Sequence, residues 1–387
     1  MRHVALVIPT VDRIGGAERQ VLLMASGLCR RGWRVTVVAL SGCGGDAADE
    51  LSDAGAGFVA LGMRKGWADP RGWIRLNRWL KREKPDVVHS HLPHAAWLAR
   101  WSRLLAPVRV AVDTLHSSST GALGRRLGYR ASDWLTDQLT AVSNAVADAH
   151  RSAGITRPEK LVVLANGVDV RVWHADAAVR SAVRRKLSVG DEFLWLAAGR
   201  LEPVKDYPTL LSAMAQVSEP SRLMIAGSGP LLGQLSQQAE QLGLGSRVIF
   251  LGFEADLQPW MQAADGFVLS SLWEGLPMGL LEAAACGLPA IATDAQGTRE
   301  VILNGATGWL TPVGDANALA ESMRRLMDTP LKDRRAMGNC ARERAMKQNG
   351  LEAILDKWEE LYGTLLQQNQ TPARWRVPAS QRSATPV

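Results

Sequence analysis

Short β-branched and apolar runs alternate with helical periods along nearly the whole chain, and the series starts over once. The first series reads HVALVIPT, RVTVVAL, GFVAL, PDVVHSH, VRVAVDTLH, QLTAVS and KLVVLANG; the second reads FLWLAAG, RLMIAGSG, RVIFLGF, ADGFVLSS, PAIATD and TGWLTPV. Strands that alternate with helices belong to parallel sheets covered by those helices. Two series therefore predict two successive α/β units. Strand signals lapse over residues 166–193, which sets the boundary between them. A chain of 387 residues is too long for one comfortable core and short for three. The expected division is an N-terminal domain at 1–167, a C-terminal domain at 168–366 and a tail at 367–387. The last helix, about 350–366, is a candidate to pack back on the first domain. The tail is polar and contains proline, so it reads as mobile.

Hydrophobic residues make up 47% of the chain and charged ones 21%, which suits a globular protein and not a disordered one. No apolar run reaches the ~18 residues of a membrane span. The start, MRHVALVIPTVDR, has too short an apolar core and too early an acid for a secretory signal, so a cytoplasmic location is expected. Cys29, Cys43, Cys286 and Cys340 form no CxxC pair and suggest neither zinc nor a disulfide framework. His89, His91 and His94 are clustered and could in principle bind a metal. They straddle a strand end without a nearby carboxylate or cysteine, and a polar strand end lining a cleft is the better reading.

The most informative segment is SLWEGLPMGLLEAAACGLPAIATD, residues 271–294. It reads as strand, loop, helix, strand, with Pro277 opening the helix and Gly287 and Pro289 ending it. Glu274 then falls in the loop and Glu282 in the second helical turn. Both lie in apolar surroundings, where a charge is costly unless it is paired. They also sit where a strand's carboxyl end meets a helix N-terminus, the rim at which open α/β sheets bind ligands and where an anion is favoured.

Other strand ends supply further candidates. GRLEPVKDYPTLL carries Arg200 and Lys205 ahead of a helix, a pair able to clamp a diphosphate, although each alone is more readily ordinary surface charge. GSGPLLG, residues 227–233, is a Gly-rich turn after a strand with Glu254 near the end of the next. It raises the alternative of a nicotinamide-dependent enzyme, but it follows the second strand of its domain and not the first. In IGGAERQ, Gly15 and Gly16 can bring backbone close to a ligand. In VDTLHSSS, His116 ends a strand.

Taken together, GGAERQ, TLHS, NGVD, GRLEPVKD, AGSGP, WEGLPMGLLEAAACGLPAIATD and GTREVI…GWL resemble the retaining nucleotide-sugar glycosyltransferases of GT-B fold, the Glu-x7-Glu or family 4 type, in that family's order over residues 3 to about 365. The resemblance implies two Rossmann-like domains, an N-terminal one for the acceptor and a C-terminal one for the donor. It implies that Glu282 binds the nucleotide ribose hydroxyls and Glu274 faces the donor sugar. Arg200 and Lys205 would hold the diphosphate, with backbone amides of Gly279 and Leu280. Gly15 and Gly16 would approach the donor phosphate or the acceptor, and His116 would lie near the reacting sugar. The family's favoured mechanism lets the leaving phosphate take the acceptor's proton, so no nucleophile is required. No metal or other cofactor is implied, and the sequence contains no Asp-x-Asp. AQGTRE departs from the family, which often has two adjacent glycines there, so the loop around Gly297 is expected to grip its sugar differently.

Net charge is +7. Residues 64–130 alone contain 14 Lys and Arg against 4 Asp and Glu. In PRGWIRLNRWLKRE, Arg71, Arg75, Arg78 and Arg82 recur along one helical face, with Trp73, Leu76 and Leu80 opposite and Ile74 and Trp79 flanking. With WLARWSRLLA and LGRRLGYR nearby, this predicts an anionic membrane surface as a partner. No nucleic-acid module accompanies the charge. The expected protein is a retaining hexosyltransferase on the inner face of the cell membrane. It would pass a sugar from a UDP- or GDP-sugar to a saccharide or lipid-linked acceptor in bacterial surface polysaccharide, lipopolysaccharide or glycolipid synthesis. The alternatives are another GT-B enzyme, such as a sugar-nucleotide epimerase or phosphorylase, and a non-catalytic nucleotide-sugar-binding protein.

Overall fold

Both series fold as parallel sheets. The computed structural model describes residues 1–12, 15–64 and 69–369. The chain divides into two compact units, one of Met1–Val142, Ala147–Leu164 and the chain from Leu355 on, the other of Ser143–Val146 and Ala165–Ile354. Unit one holds β1 (His3–Ile8), β2 (Arg34–Ala39), β3 (Gly57–Ala60), β4 (Val87–His91), β5 (Val110–Leu115), β6 (Gln138–Ala141) and β7 (Leu161–Val163), in the order β3-β2-β1-β4-β5-β6-β7. Unit two holds β8 (Phe193–Ala198), β9 (Ser221–Ala226), β10 (Val248–Gly252), β11 (Gly266–Leu269), β12 (Ala290–Thr293) and β13 (Gly308–Thr311), in the order β10-β9-β8-β11-β12-β13. Every run read as a strand contains one. In each sheet the order reverses beside the first strand, between β1 and β4 and between β8 and β11, and it is outside the carboxyl ends at such a point that open sheets take ligands.

The central strands are buried on both faces, which is why they read as apolar runs, while the edge strands β3, β7 and β10 are partly exposed. Val4 to Ile8 of β1 are wholly inaccessible, with Val4 beside Val35 and Leu6 beside Val37 of β2. In unit two, Trp195 on β8 anchors a core with Leu223, Val268, Ile291 and Met323.

Helix Pro70–Glu83 starts where Asp69 accepts the Arg71 amide at 3.0 Å and proline takes the first turn. It exposes Arg71, Arg75, Arg78 and Arg82 and buries Leu76 and Leu80. Trp79, expected to flank that basic stripe, lies instead in the core, its ring edge-on to His3 at 6.1 Å. Two nearby cations also leave the surface. Arg100 donates to Asp113 at 2.7 Å and Arg103 to Asp137 at 2.6 Å, each buried with its partner nearby. A buried guanidinium has to be paired and multiply hydrogen-bonded, and Arg100 also donates to the Tyr129 carbonyl and the Ser132 hydroxyl. No described helix is long and apolar enough to cross a membrane.

The final helix, Leu351–Gln368, serves both units. Its first turn belongs to unit two and the rest, from Leu355, to unit one. There Arg31 binds Asp356 and Glu359, each at 2.7 Å, and the Trp33 indole N–H also donates to Glu359.

Candidate functional site

At the carboxyl rim of unit two, the loops after β8 and β11 are tied to each other before any ligand arrives. The Leu272 amide donates to the Val204 carbonyl at 2.8 Å, and the Ser270 hydroxyl donates to the Lys205 carbonyl at 2.8 Å. The tie brings Lys205 Nζ to 2.5 Å from Glu274 Oε1, which also accepts the Ser271 hydroxyl at 2.7 Å. The Lys205 and Glu274 side chains are 19% and 13% exposed. The charge on Glu274 is thus balanced by Lys205. Arg200 belongs to the same loop but differs: its side chain is 66% exposed and pairs with Glu202 at 3.1 Å, a contact too solvated to fix it. Lys205 is a held cation, and Arg200 is an exposed one on the same loop.

Glycines explain how the loops come so close. A Cβ on Gly227 would stand 1.9 Å from the Gly199 carbonyl oxygen, and one on Gly229 would stand 2.4 Å from that of Leu201. The Gly-rich turn after β9 therefore serves contact between neighbouring loops, which accounts for it without a dinucleotide. Gly297 plays the same part after β12, its missing Cβ 1.9 Å from the Gly275 carbonyl oxygen. That contact lets the Glu274 amide donate to the Ala295 carbonyl at 3.2 Å.

Helix Met278–Ala285 follows directly, with Pro277 as its N-cap. It is braced from behind. Gly287 and Gly338 meet at backbone distance, and Arg342 donates to the Ala285 carbonyl at the helix C-terminus, where a cation is favoured. The first-turn amides are those with no partner one turn back. Leu280 already donates to the Pro277 carbonyl at 3.2 Å, and Gly279 stands beside the Phe267 ring. Glu282 is buried in the second turn, one turn before Cys286, whose thiol is pushed up to about 12 by burial and then by the nearby Glu282 charge. Tyr207, buried behind Lys205, donates to the Gly199 carbonyl at 3.1 Å; burial and then Glu274 push its hydroxyl pKa up.

The remaining candidates lie in unit one. Gly15 caps helix Gly16–Arg30, and its amide donates to the Glu18 carboxylate at 3.1 Å. His116 follows β5. Its Nε2 lies 3.0 Å from Nδ1 of His91, and burial lowers its pKa to about 4. His89 and His91, read as a cleft-lining strand end, are instead fully buried. The rings are 4.1 Å apart, and His89 is bonded to the Tyr362 and Thr114 hydroxyls at 2.6 Å each. Among the described residues no His, Cys, Asp and Glu cluster could hold a metal ion. The sequence reading missed Ser271 and Tyr207. Ser271 carried a weak signal, three residues before Glu274 and thus within reach of it; Tyr207 carried none.

Comparison with known proteins follows this division. Residues 14–172 match the family model Glycosyltransferase Family 4, and residues 179–344 match the model Glycosyl transferases group 1. The chain is 31% identical over 291 residues to the putative glycosyltransferase EpsD of Bacillus subtilis, covering 70% of this chain and 76% of that one. It is 28% identical over 310 residues to the UDP-Gal:alpha-D-GlcNAc-diphosphoundecaprenol alpha-1,3-galactosyltransferase of Escherichia coli, covering 76% and 79%. In structure it is similar to Anabaena HepE in complex with UDP-glucose, with a TM-score of 0.82 at 23% identity over 93% of this chain and 99% of that one. The fold is thus GT-B, with two parallel-sheet α/β units.

Proposed function

Because this chain belongs to the family 4, group 1 glycosyltransferases, we propose that it is a retaining enzyme that moves a sugar from a nucleoside diphosphate to a saccharide or lipid-linked acceptor in surface polysaccharide or glycolipid synthesis. The observation that carries the reading is the Lys205–Glu274 pair at a helix N-terminus, 2.5 Å apart and mostly buried. A held ammonium next to first-turn amides suits a diphosphate, and a carboxylate beside it suits sugar hydroxyls. Glu282, one turn farther on, accepts two ribose hydroxyls, a use that suits the two oxygens of a carboxylate. On the same reading Gly15 and Gly16 serve the donor phosphate or the acceptor, and His116 serves the reacting sugar.

In the reaction the bond from the anomeric carbon to the phosphate oxygen breaks and a bond to the acceptor oxygen forms on the same face. The acceptor's proton passes to the leaving phosphate. Negative charge grows on the diphosphate as this happens. Lys205, once drawn from Glu274, meets that charge together with Arg200 and the first-turn amides of Gly279 and Leu280, and donors that strengthen their hold as charge develops lower the barrier. The acceptor named for the Escherichia coli relative is diphosphoundecaprenol-linked, which makes a lipid-linked sugar the first acceptor class to offer and a UDP-sugar the first donor.

Membrane docking belongs to this reading. Its support is the exposed row Arg71, Arg75, Arg78 and Arg82 and a second helix, Leu123–Ala131, which turns apolar residues outward. Leu123 and Leu127, one turn apart, are 65% and 57% exposed, and exposed Arg130 continues their stripe. Trp101, Leu104, Leu105 and Trp134 are exposed nearby in the sequence.

The test is transfer of radiolabelled sugar from UDP- and GDP-sugars into an undecaprenyl-diphosphate saccharide, with the new linkage read by NMR. Transfer with the donor's anomeric configuration kept is the expected result. Inversion, or turnover that needs no acceptor, would overturn the proposal.

A further inference from the structure

Whatever His116 meets at the end of β5, one of its nitrogens is already spoken for. His91 lies on the adjacent strand, β4, in parallel register with Thr114, and its Nδ1 is 3.0 Å from His116 Nε2. A hydrogen bond between two imidazoles needs one N–H and one bare nitrogen. Both rings are neutral near pH 7, because burial holds His91 well below 6.5 and His116 at about 4. Each ring therefore carries a single proton.

The far nitrogen of His91 settles the direction of the bond. His91 Nε2 is buried and has no hydrogen-bond partner. A buried N–H without an acceptor is rarer in folded proteins than a buried acceptor left partly unused. On that preference the proton of His91 belongs on Nδ1, donated to His116 Nε2, and the proton of His116 on its own Nδ1. The His91 ring lies against His89, tilted by 36° at 4.1 Å, and His89 is gripped at both nitrogens by the Tyr362 and Thr114 hydroxyls.

We infer that His91 is a positioning residue that holds His116 as its Nδ1–H tautomer, so that His116 meets its ligand as a hydrogen-bond donor and does not serve there as a base. The role of His116 toward a ligand rests on the proposed function; the tautomer does not. A donor suits a sugar hydroxyl oxygen or a phosphate oxygen, and it agrees with a reaction in which the leaving phosphate takes the acceptor's proton.

The experiment is long-range proton–nitrogen correlation NMR of the full chain labelled with nitrogen-15 histidine at pH 7.5, with His116 assigned by the peaks lost in His116→Ala. Wild type is expected to show one His116 tautomer, Nδ1–H. His91→Leu should lose that single state and show the Nε2–H form, and His91→Asn, whose amide N–H stands near the position of Nδ1, should restore it. An Nε2–H His116 in wild type, or a tautomer unaltered in His91→Leu, overturns the inference whatever the activity. A tautomer that behaves as expected, with kcat unchanged in both His91→Leu and His116→Ala, upholds the inference and instead removes His116 from the proposed function.

Discussion

Lys205 and Glu274 neutralise each other, so on the proposed function a diphosphate draws Lys205 toward itself while Glu274 keeps the Ser271 hydroxyl. On this account Lys205→Ala lowers kcat by roughly 10²-fold or more, the scale seen when one preset donor to a developing charge is removed. Steady-state rates on the best donor check this, and an unchanged kcat would contradict it. His89 allows a second prediction at this scale. Its pKa is about 3 in the folded chain, through burial and then the nearby His116, against about 6.5 unfolded. The folded value is the lower one, so the neutral ring's contribution is complete above pH 6.5 and is lost as pH falls toward 3. The loss approaches about 1.4 kcal/mol per pH unit from this one residue. Urea unfolding midpoints should fall between pH 7 and pH 5 and fall less steeply in His89→Gln. Equal slopes would remove His89 from the account. The setting of His89 was not legible in the sequence. The Tyr362 hydroxyl that binds His89 lies 273 residues away, and local pattern does not show a partner at that distance. Glu274 and Lys205 were legible because each stands in a strand-to-helix loop, where a charge amid apolar residues is conspicuous.

At the scale of elements, the described strands were readable because burial on both faces makes most central ones apolar runs, and the partly exposed edges β3, β7 and β10 keep β-branched or aromatic residues. The surface helices were less so. Helical spacing set Trp79 at the edge of the Arg71–Arg82 stripe, but a tryptophan at the edge of an amphipathic face can turn inward, and here it meets His3. Arg100 and Arg103 counted toward a basic surface until Asp113 and Asp137 claimed them. The glycine turn after β9 was visible, while its purpose was not, since that depends on the neighbouring strand. Gly227→Ala is expected to destabilise unit two by about 2–4 kcal/mol, because the new methyl collides with a backbone carbonyl that no rotamer change can move. Gly233→Ala, in open space on the helix that follows, should be neutral or stabilising. Melting temperatures of the two variants, alike, would refute the role given to the turn.

For the molecule as a whole, one order of six strands is built twice, with β7 added at the edge of unit one, and each unit carries candidates at its carboxyl rim. If unit one docks on an anionic bilayer, each cation near the surface adds about 1 kcal/mol and the outward leucines add buried area. Vesicles rich in phosphatidylglycerol should sediment the protein, phosphatidylcholine vesicles should not, and Leu123→Glu with Leu127→Glu should weaken the binding severalfold. Sedimentation indifferent to both lipid charge and these substitutions would refute the docking face. The central claim concerns unit two, and calorimetric titration of UDP, GDP, ADP and NAD into wild type and Glu282→Ala tests it most directly. One nucleoside diphosphate should bind wild type and lose at least tenfold in affinity in the variant at equal folded stability. Binding of NAD alone, or of a nucleoside diphosphate with equal affinity to both proteins, would contradict the proposed donor site.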